Sequence, residues 1–114
     1  MASRLNTDRK HVELLLLIGT REWERLPAVE AEIDRWDHTA QEDYLAEWPL
    51  QEQRLDMLAE YEAAGVLTAD QSRRLEHLRS VATRNRPIVR RLLDPAADRP
   101  ARRTRSRVPA QTTA

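Results

Sequence analysis

A helix-stop signal followed at once by a helix-start signal, Gly65-Val66-Leu67-Thr68-Ala69-Asp70-Gln71, constrains this chain more than any other feature. Gly65 suits the left-handed position just past a helix end, with Leu67 placed for the accompanying apolar contact. Thr68-x-x-Gln71 has the form of a capping box, in which hydroxyl and amide side chains satisfy the first backbone N–H groups of a helix. Upstream, Pro49 fits the first turn of a helix whose inner face is Leu50, Leu55, Leu58 and Tyr61. Downstream, Leu75, Leu78 and Val81 or Ala82 continue at helical spacing. These signals predict an antiparallel hairpin of two helices, about 49–64 and 69–84, each roughly 24 Å long at 1.5 Å per residue.

The rest of the chain uses the same palette. Gly occurs twice, β-branched residues are sparse, and Ala, Leu, Glu and Arg dominate, which favours helices over strands. Asn6, Thr7 and Asp8 offer an N-cap for a first helix with Val12, Leu15 and Leu16, joined by Leu5 or Gly19, on one face. Leu14, Leu17 and Ile18 widen that face so far that the helix is expected to be nearly surrounded. Gly19-Thr20 reads as a break before a short turn carrying Trp23 and Leu26, and Pro27 as the first residue of another helix with a stripe of Val29, Ile33 and Trp36. After an Asp37-His38 connection, Thr39-x-x-Glu42 is a second capping-box pattern, opening a short helix with Tyr44 and Leu45. That helix is expected to bend at Trp48, because Pro49 follows it. Asn85-Arg86-Pro87 reads as the end of the hairpin's second helix, with Ile88, Val89, Leu92 and Leu93 forming one more turn before Asp94-Pro95. The fold class predicted is all-α: a small antiparallel helical bundle over residues 1–94. Residues 95–114 are too poor in apolar side chains to offset their ordering entropy and are expected to be a disordered tail.

Several chemistries lack their raw material. With no Cys there is neither a disulfide framework nor a thiolate metal site, and a cytoplasmic location is the expectation. The longest apolar run, Leu14 to Gly19, falls far short of the ~20 residues that span a bilayer, and no signal peptide is read. Ser3, Ser72, Ser80 and Ser106 have no nucleophile elbow around them, and two glycines cannot build a phosphate-cradling loop. Among the histidines only His11 has an acid three residues before it, Asp8, whereas a di-iron bundle wants Glu-x-x-His on two helices. His38 lies in a connection and His77 between Leu75 and Leu78. Acid pairs such as Glu30 with Asp34, or Glu42 and Asp43 with Glu47, sit among Arg and Gln, where solvation and ion pairing explain them. No catalytic residue, metal or cofactor is expected.

Charge and aromatic residues give the positive signals. The formal net charge is zero, yet residues 1–83 carry 10 basic and 17 acidic side chains, and residues 84–114 carry 9 Arg against Asp94 and Asp98. Arg84, Arg86, Arg90 and Arg91 stand on the last helical stretch; Arg99, Arg102, Arg103, Arg105 and Arg107 follow in the tail. Guanidinium forks bind phosphate, so this end offers salt-sensitive contact with nucleic acid, although no aromatic ring interleaves the arginines for base stacking. The bland alternatives are a solvated arm or one paired with the acidic body. Trp23, Trp36 and Trp48 recur at intervals that make no single-helix stripe but allow convergence between helices, either in the core or as anchors for a partner.

Glu47-Trp48-Pro49-Leu50, Gly65-x-Leu67-Thr68-x-x-Gln71 and Asn85-Arg86-Pro87-Ile88 together resemble the helix punctuation of small uncharacterised bacterial helical proteins, over about residues 30–93. The resemblance implies a helical fold in a bacterial cytoplasm and no site residues. The expectation is a non-catalytic protein-interaction module, an adaptor or antitoxin-like regulator that binds a protein partner or self-associates. The alternative is a nucleic-acid-associated protein using the Arg-rich end.

Overall fold

In a computed structural model, which describes residues 2–94, the chain forms four α-helices and one 3₁₀ turn. Helix α1 is Ala2–Glu32, followed by the turn Ile33–Arg35; α2 is His38–Ala46, α3 Trp48–Ala63 and α4 Ala69–Leu93. There is no strand among the described residues, and none of their helices is long and apolar enough to cross a membrane. The expected disorder of 95–114 lies outside the described residues.

The hairpin punctuation works as its residues demand. Gly65 takes φ 75°, its N–H bonds the carbonyl of Glu62 and the N–H of Val66 that of Tyr61, a Schellman ending for α3. The buried apolar residue after the glycine is Val66, and Leu67 is only half-buried. Thr68 Oγ1 accepts from the N–H of Gln71 at 3.1 Å, while Gln71 Oε1 accepts from the N–H of Thr68 at 3.0 Å, completing the capping box. Gln71 Nε2 reaches further, donating to the Arg9 carbonyl and to Glu13 of α1. The turn is therefore stitched to α1 as well as to itself.

Four expected helix boundaries do not occur, and at Gly19, Pro27 and Pro87 the surroundings override the local preference. Asn6, Thr7 and Asp8 lie within α1, which is already running from Ala2. Gly19 also stays helical: a Cβ there would sit 3.1 Å from Leu78 Cδ2, so the missing side chain lets α4 approach α1 closely. Its cost of roughly 1 kcal/mol in helix propensity is small beside the burial on both sides of it. Pro27 stays helical too. Lacking an N–H, it leaves the carbonyl of Trp23, four residues earlier, without its helical partner; Asn85 of α4 fills the gap, Nδ2 donating to that carbonyl at 2.9 Å. Pro87 likewise lies inside α4, and the carbonyl that it orphans belongs to exposed Thr83, which solvent can reach. With Ile88, Val89 and Leu92 buried, α4 has reason to continue to Leu93. At the other break, Asp37 rather than Thr39 caps α2, its Oδ1 accepting from the N–H of Ala40 at 2.8 Å. The interruption before α3 falls at Glu47, one residue before Trp48.

Cross-helix partners give the topology. Glu13 meets Arg74, Trp23 meets Asn85 and Glu30 meets Arg91, so α1 and α4 run parallel. His11 meets Tyr61 and Trp23 meets Trp48, so α3 runs antiparallel to α1. The hairpin helices are antiparallel as predicted, but both pack mainly on α1 and touch one another little. Arg79–Glu62 and Arg86–Glu52 ion pairs bridge between them. The core joins Val12, Leu15, Leu16, Trp23, Leu26, Val29 and Ile33 to Trp48 and Leu58 of α3 and to the inner face of α4. On α3, Gln51 is buried where Leu50 was expected, and Leu50 is exposed.

Candidate interaction surfaces

The aromatic residues converge where α1, α2 and α3 meet. Trp23 and Trp48 pack edge to face with ring centroids 5.0 Å apart, Tyr44 lies 5.9 Å from Trp48, and Trp36 packs edge-on to Tyr44 at 5.5 Å. The Arg86 guanidinium sits 5.4 Å from the Trp23 ring centroid, a cation–π contact. Gln41 Nε2 donates to the carbonyls of Ile33 and Trp36, holding the turn beneath the cluster. Burial pushes the Tyr44 phenol up to about 12, assisted by the negative charge of Glu22 and opposed by Arg25. Of the two roles the sequence left open, core or partner anchor, Trp23 and Trp48 take the first, with 0% and 3% exposure. Their burial follows from the convergence of three helices on one point. Trp36 is only partly buried.

The histidines and carboxylates are dispersed. His11 Nδ1 lies 2.8 Å from the Tyr61 hydroxyl, His38 pairs with Glu42 on exposed α2, and His77 lies 3.3 Å from Glu24. Among the described residues no three His, Asp or Glu gather as a metal site. Glu30 is bound by both Nε and a terminal nitrogen of Arg91. Glu13 is held below the usual carboxylate range by hydrogen bonds from Arg74 and then Gln71.

The described part of the basic end divides in two. Arg86 and Arg91 make two-pronged bonds to Glu52 and Glu30, which raise their already high pKa values. Arg84 and Arg90 are exposed on α4. Arg99, Arg102, Arg103, Arg105 and Arg107 lie outside the described residues.

The surface that sequence reasoning missed is on α1. Leu14 is 51% exposed and Leu17 57%, although both were expected to be enclosed. Among the described residues two helices pack on the middle of α1: α4 covers the side of Gly19 and α3 the side of His11. The third side faces out. It carries Lys10, Leu14, Leu17, Arg21 and Glu24, spaced alternately four and three residues apart, so that one straight face holds them all. Half-buried Ile18 borders it, and a shallow groove beside Leu17 is lined by Leu16, Thr20, Glu24 and His77. The heptad spacing was visible in the sequence, but the continuous run from Leu14 to Ile18 hid which leucines face inward.

Comparison with known protein families, with curated proteins and with solved structures gives no match. The resemblance in helix punctuation therefore brings no family and no site residues with it.

Proposed function

We propose that this chain acts by binding rather than by catalysis, as a small helical adaptor, and that the outer face of α1 is its contact surface. The observation that carries this reading is the pair Leu14 and Leu17: adjacent on one face, each more than half exposed, at the centre of the longest helix. Exposed leucines grouped on a rigid element and bordered by charges are the composition of an interface centre and rim. Trp36, only partly buried, is a secondary anchor. The absence of cysteine fits a partner met in the cytoplasm.

The test is capture of a binding partner by the full chain and by its Leu17→Glu variant, whose exposed substitution should leave the helical melting curve unchanged. Loss of a specifically retained protein with the variant supports the α1 face; equal retention by both rejects it. A second reading rests on exposed Arg84 and Arg90, which stand at the start of the Arg-rich end. It predicts nucleic-acid binding that weakens steeply with salt and disappears when residues 95–114 are removed.

A further inference from the structure

The order of side chains on the outer face of α1 points to a particular partner. From the N-terminal end the exposed sequence of chemistries is Lys10, Glu13, Leu14, Leu17, Arg21, Glu24: positive, negative, two apolar, positive, negative. Reversed, the same series reads negative, positive, two apolar, negative, positive. Laid antiparallel on itself about Leu17, the series sets Lys10 level with Glu24 and Glu13 level with Arg21, each pair made twice, while Leu17 meets its own copy and Leu14 falls level with Thr20. A parallel alignment of two copies sets Lys10 on Lys10 and Arg21 on Arg21, and it is disfavoured on the same grounds. We infer that the partner of this face is a second copy of the chain, bound through an antiparallel pairing of the two α1 helices about a two-fold axis beside Leu17. The inference rests on the reading of α1 as the contact surface and names its occupant.

The geometry agrees with this pairing. The alternating spacing of four and three is that of a two-stranded helical seam, in which apolar side chains of one helix enter gaps on the other. Beside Leu17 the groove between α1 and α4 is open and offers such a gap. An isologous contact of this kind closes on itself and leaves no free copy of the surface, so it stops at the dimer. Glu13 already accepts from Arg74 and Gln71, and Glu24 lies against His77, yet both carboxylates are half exposed, and a carboxylate can accept more than two hydrogen bonds. Because the apolar centre is only two leucines per copy, the dimer should be weak and reversible, with Kd on the order of 10–100 µM.

The experiment is sedimentation equilibrium of the full chain from micromolar to millimolar concentration. A monomer–dimer equilibrium is expected, weakened at least ~10-fold by Leu17→Glu. Lys10→Glu and Glu24→Lys should each weaken it, and the double exchange, which restores both cross-helix pairs, should recover most of the wild-type affinity. The native chain has no cysteine, so Leu17→Cys introduces a single thiol. Mild oxidation should link that variant into a covalent dimer, and Ser80→Cys, on exposed α4, should stay monomeric. A chain monomeric throughout the range overturns the inference, as does a dimer indifferent to Leu17→Glu. A dimer in which the charge exchange fails to rescue overturns the antiparallel alignment. If the chain is monomeric but captures another protein through Leu17, the dimer is rejected and the α1 reading stands; if Leu17 affects neither, both fall.

Discussion

Replacing Asn85 by Leu tests how α1 tolerates a proline in its interior. The side chains are similar in size, so the substitution leaves little cavity and removes one hydrogen bond, from Asn85 Nδ2 to the Trp23 carbonyl at 2.9 Å. That carbonyl lies in the core, beneath a residue with no solvent exposure, and has lost its helical partner to Pro27. Leaving a buried acceptor unsatisfied costs about 1–3 kcal/mol. For a domain of this size each kcal/mol lowers the melting temperature by about 4–8 °C, so Asn85→Leu should lower it by roughly 10 °C. The partner variant is Pro27→Ala, which restores an N–H four residues after Trp23 and removes a helix-breaking ring that costs up to about 3 kcal/mol. In that background the carbonyl has its ordinary partner and the Asn85 amide is surplus, so Asn85→Leu should be neutral or stabilising. A double-mutant cycle by urea denaturation, followed by circular dichroism at 222 nm, should therefore give a coupling of about 1–3 kcal/mol between residues 58 positions apart. If the two changes are additive to within about 0.5 kcal/mol, Asn85 is not the substitute donor and the account of Pro27 is wrong.

Gly65→Ala should destabilise the chain by about 1–2 kcal/mol although nothing lies within 4 Å of the added Cβ, because its φ of 75° is unfavourable for any side chain; an unchanged denaturation midpoint would refute this. Tyr44, with its phenol raised from 10 to about 12, is bound by the fold in its neutral form. Its contribution is complete below pH 10 and is lost as pH rises towards 12. Phenolate absorbance at 295 nm in a Tyr61→Phe background should show Tyr44 ionising only in that upper range, and ionisation near pH 10 in the folded chain would contradict its burial. Glu13, lowered from its ordinary 4.5, contributes stability above that pH and loses it as pH falls through the folded value. Arg74→Gln should therefore move the acid-unfolding midpoint upward.

Much of the fold is written in short-range chemistry. Gly65, Thr68 and Gln71 set the turn between α3 and α4 through backbone conformation and hydrogen bonds spanning a few residues, so their signals could be read directly from the sequence. The inner face of α4 was legible for a similar reason: Leu75, Leu78, Val81 and Ala82 recur at helical spacing among charged neighbours, which leaves one choice of buried side. The candidate surface was only half legible. The sequence supplies the spacing of Lys10, Leu14, Leu17, Arg21 and Glu24 and the complementary order of their charges. In a helix apolar on so many sides, however, the pattern does not say which side is covered.

That choice belongs to the tertiary structure. Whether Leu17 is core or surface depends on which sides of α1 the described helices α3 and α4 cover, a fact that no property of residues 10–24 contains. The same holds for Gly19 and Pro27. Each is a local stop signal, overruled because Leu78 packs against the missing Cβ of one and Asn85 supplies the bond that the other cannot form. Caps and turns close within a few residues and are fixed by sequence. Helix continuity through a proline, and the exposure of a leucine, are decided by partners about 60 residues away along the chain.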